Sequence, residues 1–132
     1  MDNIVNKKWN IIYEDEHILL VHKFSGIATE SSKIGEKDLV SELRRYLKRN
    51  GNTYLGVVHR LDQPVEGIVL FAKNKGAAAF LSKQVSFDGD NKKMRKYYKA
   101  LCYGKMNPEK GTLTDYLIKD DKTIYNEERI NS

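Results

Sequence analysis

Four side chains able to do acid–base or ionic chemistry crowd into eight residues: His59, Arg60, Asp62 and Glu66. A carboxylate is ionised at neutral pH and can act as nucleophile or base, and a guanidinium is a flat, permanent cation that can bind phosphate or stack on a base. Alone, an Arg-x-Asp step at a strand end is ordinarily a solvated turn with a weak surface ion pair. The flanks give it weight. Leu55–Val58 and Ile68–Ala72 are short apolar runs rich in Val, Ile and Phe, which read as strands. Pro64 and Gly67 punctuate the connection and predict a loop that leaves the sheet. Arg60 and Asp62 are then lifted from the end of a buried strand onto a loop, the usual layout of a rigid scaffold presenting reactive groups.

The elements that must position this loop follow from periodicity. Residues 1–8 are polar and read as frayed. Asn10–Tyr13 and Ile18–His22, separated by Glu14–His17, predict a hairpin, and Lys23-Phe24-Ser25-Gly26 predicts a turn. Leu39, Leu43 and Leu47, with Val40 beside them, form the apolar stripe of a helix over Leu39–Lys48, with Asp38 as N-cap and Gly51 as stop. Its basic residues Arg44, Arg45, Lys48 and Arg49 read as a solvated face. Gly76–Val85 predicts a second helix, buried through Ala77, Ala78, Phe80, Leu81 and Val85. After a loop over 86–93, Lys92, Lys93, Arg95 and Lys96 make the densest positive cluster, adjoining Tyr97 and Tyr98. Aromatic rings among cations can stack a splayed-out base, which favours RNA over a membrane surface. Alternation over Lys96–Tyr103 predicts a strand, with Cys102 as a small core residue, and Gly111–Leu117 predicts another.

His59-Arg60-Leu61-Asp62, then Gly67, the apolar quartet Ile68–Phe71 and Ala72-Lys73, resembles the signature of the RluA-type RNA pseudouridine synthases. Many members have Thr-Ser before that Gly, where this chain has Val65-Glu66. Lys23-Phe24-Ser25-Gly26 resembles the family's Lys-Pro-x-Gly, with Phe24 in place of Pro, and Lys96-Tyr97-Tyr98-Lys99-Ala100 resembles its Lys-x-Tyr-x-Ala. The resemblance implies an α+β fold on a mixed, largely antiparallel sheet with flanking helices. It implies isomerisation of uridine to pseudouridine in ribosomal or transfer RNA, without a cofactor. Asp62 would be the essential carboxylate, Tyr98 the base or relay for the C5 proton, and Arg60 the residue that helps extrude the target nucleotide. Lys92, Lys93 and Lys96 would bind RNA, with Lys23 a further candidate for phosphate contact, while His59 reads as structural.

The resemblance spans about residues 11–119; residues 1–119 read as the N-terminal portion of a pseudouridine synthase catalytic domain, and 120–132 read as a polar tail. The family's later motifs, Thr-Gly-Arg and His-Gln-Ile-Arg, are absent from these 132 residues, so the chain reads as a shortened form. The alternative is an inactive RNA-binding fragment. A sheet lacking part of its strands would expose an edge and invite self-association.

Composition sets wider bounds. The chain carries 23 Lys and Arg against 18 Asp and Glu, net +5, compatible with a polyanionic partner without requiring one. One cysteine excludes an intramolecular disulfide and suits a reducing compartment. No apolar stretch approaches the ~18 residues of a membrane span, and His17, His22 and His59 lack metal-ligand spacing. A cytoplasmic protein with no metal is expected. Unrelated phosphoryl or glycosyl transfer would need a metal loop or a second catalytic carboxylate, and neither is marked.

Overall fold

The structure, a computed structural model, describes residues 7–86, 94–105, 107, 109–119 and 124–127. It divides into two units, residues 1–96 and 97–132.

In the first unit, strands β1 (Trp9–Glu14) and β2 (Ile18–Lys23) form the expected hairpin. Asp15 builds its turn: the carboxylate accepts from the backbone N–H of His17 at 2.7 Å and of Ile18 at 2.8 Å. The order across the sheet is β1-β2-β4-β3, where β3 is Gly56–Val57 and β4 is Gly67–Ala72, and every pairing is antiparallel. One face of this sheet is the core. Leu19 and Val21 of β2 pair with Phe71 and Val69 of β4, and all four are fully buried. Helix α1 (Leu39–Arg49) adds Leu39, Val40, Leu43 and Leu47 to the same cluster. Its N-terminus is fixed by Asp38, whose carboxylate accepts from Ser41 N at 2.7 Å and from Ser31 N at 2.9 Å. The sheet's β1 edge is blunted by a register shift at Ile12.

Helix α2 (Lys75–Val85) is capped by Asn74, which accepts from Ala77 N at 2.8 Å. A Cβ on Gly56 would lie 3.0 Å from that of Ala78 and 3.2 Å from that of Ala72, so Gly56 lets α2 approach the β3–β4 pair closely. The expected burial of this helix is only partly met: Leu81 is buried, but Phe80 is 64% exposed. The helix touches the sheet along its alanine side, and the ring lies beyond that contact.

The second unit contains β5 (Tyr116–Lys119) and β6 (Ile124–Glu127), an antiparallel pair with Tyr116 opposite Glu127. Two expectations change here. The strand predicted over Gly111–Leu117 begins only at Tyr116, and Ile124–Glu127, inside the expected polar tail, is a strand. The strand predicted over Lys96–Tyr103 does not form; these residues have no regular structure and Cys102, expected in the core, is exposed. Alternation only makes a segment compatible with a sheet, and a strand also needs a neighbour to take its hydrogen bonds.

Candidate active site

The segment between β3 and β4 is stitched to the turn that follows β2. Leu61 is the pin: it is buried in the core cluster, whereas Arg60 and Asp62 on either side are exposed. Thr29 clamps that pin at its backbone, donating from Oγ1 to Leu61 O at 2.7 Å and accepting from Leu61 N at 3.1 Å. Two residues on, Gly26 N donates to Gln63 O at 2.8 Å, and Gln63 Nε2 donates back to Gly26 O at 3.2 Å. Gly26 has φ +100°, a conformation that L side chains rarely adopt, so the turn needs a glycine there. Val65 N donates to Asp62 O at 3.0 Å, closing a tight turn around the carboxylate residue. Gly67 completes the loop, since a Cβ there would come within 3.2 Å of Leu61 Cδ1.

Lys23 does not make the phosphate contact for which it was one candidate. Its side chain continues the buried row of Leu19 and Val21 and is 0% exposed, so it cannot reach a phosphate at the surface. Its ammonium instead donates to Ile27 O at 2.8 Å, Phe24 O at 3.2 Å and Gln63 O at 3.2 Å, tying the turn to the loop from below. Burial lowers its pKa from the ordinary lysine value, and the negative charges of Asp62 and Glu66 partly restore it.

The two places where this chain departs from the motif pattern meet at one side chain. The His22 ring lies 4.5 Å from that of Phe24, centroid to centroid, and its Nε2 lies 2.9 Å from Glu66 Oε1. Phe24 also donates its backbone N–H to Lys8 O at 3.0 Å, a bond that proline at this position could not make. Val65, the other departure, packs partly against the core.

Arg60 is engaged in an ion pair. Its Nε donates to Glu30 Oε2 at 2.6 Å, and its Nη2 contacts the same oxygen. The side chain is still 63% exposed. The Asp62 carboxylate has no hydrogen-bond partner among the described residues. His59 accepts from Leu70 N at 3.0 Å through Nε2; burial lowers its pKa from the usual 6.5, and the charge of Lys96 adds to this.

The structure thus brings Arg60 and Asp62 together on one loop, with Lys96 close enough to act electrostatically on His59. Tyr98 belongs to the second unit and is 63% exposed there. Lys92 and Lys93 lie outside the described residues. Sequence reasoning missed Thr29, Glu30 and Gln63 and the buried, turn-fastening role of Lys23. For Lys23 a signal existed, because it has the same strand parity as Leu19 and Val21. No group of His, Cys, Asp and Glu that could hold a metal, and no helix long and apolar enough to cross a membrane, occurs among the described residues.

The loop just described carries the family motif in place, and the sequence profile of the family described as RNA pseudouridylate synthase matches residues 17–132. The chain belongs to that family. The match continues past Lys119, where the motif resemblance was expected to stop. Among curated relatives, an uncharacterized RNA pseudouridine synthase, YhcT, of Bacillus subtilis is 34% identical over 84% of this chain and 36% of its own length. The dual-specificity RNA pseudouridine synthase RluA of Vibrio vulnificus is 35% identical over 83% of this chain and 41% of its own. The ribosomal large subunit pseudouridine synthase C of Buchnera aphidicola is 32% identical over 77% and 30% respectively. The chain therefore spans about a third to two fifths of the length of these relatives. A solved human structure, RNA pseudouridylate synthase domain containing 4, aligns with 56% of this chain and 28% of its own at TM-score 0.44 and 18% identity.

Proposed function

We propose that this chain carries the carboxylate side of an RNA pseudouridine synthase site and isomerises uridine in ribosomal or transfer RNA. One observation supports this above the others: Leu61 is buried and clamped by Thr29, so Arg60 and Asp62 stand exposed on a loop whose backbone is tied down on both sides of them. Asp62 is the group that attacks the sugar or assists proton loss at C2′ while the N1–C1′ bond breaks and the base rejoins through C5. Tyr98 takes or relays the C5 proton. Arg60 fills the space left when the target nucleotide leaves its stack, a role suited to a flat cation.

To do so Arg60 must leave Glu30. An exposed ion pair of this kind is worth only about 0.2–1 kcal/mol, so an RNA phosphate or base can displace it. Lys92, Lys93 and Lys96 contribute to RNA affinity, the chain works in the cytoplasm, and it self-associates through the β3 edge of its sheet, the edge opposite the blunted β1. The second reading, an RNA-binding fragment without chemistry, is favoured by the exposure of Tyr97 and Tyr98, whose rings are free to stack on bases.

The test is tritium release from RNA labelled at uridine C5, with the chain and its Asp62→Asn variant side by side. Release that disappears in the variant, with RNA affinity retained, is the expected result. Release that is equal in both removes Asp62 from the chemistry, and no release from either leaves only the RNA-binding reading.

A further inference from the structure

His59 occupies the point where the chain departs from the sheet. Strand β3 pairs Gly56 with Ala72 and Val57 with Phe71, so continuing the register would pair Val58 with Leu70. That pairing does not form. The N–H of Leu70 donates instead to His59 Nε2 at 3.0 Å. An imidazole nitrogen that accepts from an amide carries no proton, so His59 is the neutral tautomer with its hydrogen on Nδ1. That Nδ1 is buried and has no hydrogen-bond partner among the described residues. Leaving a buried N–H unpaired is costly, about 1–3 kcal/mol. A phenyl ring would fill a similar space without this cost, so packing alone does not account for a histidine here. What it offers and a phenyl does not is an acceptor for Leu70.

We propose that His59 is a positioning residue, whose Nε2 replaces a strand carbonyl at Leu70 and thereby lets the backbone leave the sheet at Val58. This sets the direction in which Arg60, Leu61 and Asp62 are delivered. Without the acceptor, Leu70 is left with an unpaired N–H, and the chain regains freedom to slide or to lengthen β3. Either change moves Asp62 relative to the clamp at Thr29. The side-chain contact stands independently of the reaction; its consequence for catalysis rests on the function proposed above.

The experiment compares the protein with His59→Phe and His59→Gln. The Gln amide oxygen extends far enough to accept from Leu70 without carrying charge, so it separates the acceptor from the ring. Nitrogen-15 spectra of the unsubstituted protein are expected to show His59 with unprotonated Nε2. In His59→Phe, amide exchange at Leu70 and Leu61 is expected to accelerate at least tenfold while Leu19 and Val21 keep their protection, and His59→Gln is expected to restore most of the difference. A protonated Nε2, unchanged exchange in the Phe variant, uniform loss of protection that reaches Leu19 and Val21, or no rescue by Gln would each overturn the proposal. In the tritium assay, the Phe variant is expected to lose kcat with little change in KM, and the Gln variant to recover it. Absence of release from the unsubstituted protein would remove the function and leave the exchange and tautomer results to decide the role of His59.

Discussion

The two halves of the expected site are built differently. Around Asp62, tethers reach across 32 to 44 residues of sequence: Thr29 to Leu61, Gly26 to Gln63, Lys23 to Gln63, His22 to Glu66. Around Tyr98, residues 97–102 have no regular structure, and Tyr97, Tyr98 and Leu101 are 85%, 63% and 104% exposed. A carboxylate that attacks one atom needs a fixed origin, and such positioning comes from packing and second contacts rather than from the reactive group itself. An aromatic segment that receives RNA can be ordered by its ligand, at the cost of part of the binding energy. The loop that carries Asp62 is thus positioned within its own unit, without help from a ligand.

The strongest way to break this comparison is through the pin. Leu61→Ala removes a buried side chain beside Gly67 and is expected to cost about 2–4 kcal/mol, whereas Tyr98→Phe is expected to stay within about 0.5 kcal/mol of the unsubstituted protein. Urea unfolding of both variants measures the contrast. Lys23→Met comes next. It keeps the volume but leaves Phe24 O and Ile27 O without their donor, while Gln63 O keeps the N–H of Gly26, an expected loss of about 2–3 kcal/mol in the same experiment.

Acid should act on the first unit through carboxylates held below their ordinary pKa, with Glu14 and Asp38 the more buried ones beside Asp15 of the hairpin turn. Burial opposes ionisation of Glu14, but its hydrogen bonds to Lys73 and Tyr46 outweigh this and hold its pKa below the usual 4.5. Burial likewise opposes Asp38, and the N–H groups of Ser41 and Ser31 pull it below 3.8. Both bind protons more readily when unfolded, so their contribution is complete above about pH 4.5 and is lost as pH falls through the two folded values. A series of urea midpoints from pH 7 to pH 3 checks the direction. A stability maximum below pH 4 would contradict it.

The smaller effects sharpen the picture at the surface. Glu30→Gln frees Arg60 and is expected to raise RNA affinity a few-fold, measured by titration at fixed salt. Phe24 and Glu66 both touch His22, so a double-mutant cycle of Phe24→Ala with Glu66→Ala is expected to give a coupling of about 0.5 kcal/mol. Additivity would mean that the two departures from the motif pattern are independent of each other.

The parts legible from sequence are those governed by local period. The spacing of Leu39, Leu43 and Leu47, the alternation through Leu19 and Val21, and the caps at Asp38 and Gly51 each depend on near neighbours, and the helices and the hairpin lie within a residue or two of where they were expected. The loop that carries Arg60 and Asp62 was legible because its motif is contiguous. Thr29 and Glu30 were not, since nothing at residues 27–31 marks partners near residue 60. Lys23 misled because a lysine is ordinarily exposed, and three converging carbonyls are a property of the folded chain. The segment from Lys96 to Tyr103 misled in the opposite sense: its pattern was right for a strand and its partner was lacking among the described residues.

The Asp62 loop is held by the tethers around it, and the Tyr98 segment has no such tethers among the described residues. Native-state hydrogen exchange on the full chain, without RNA, tests this contrast directly. The account expects the amides of Gly26, Leu61 and Val65 to be protected well beyond those of Tyr97 to Tyr103, which should exchange close to the unfolded rate. Equal protection in the two regions, or free exchange at Leu61, would contradict it.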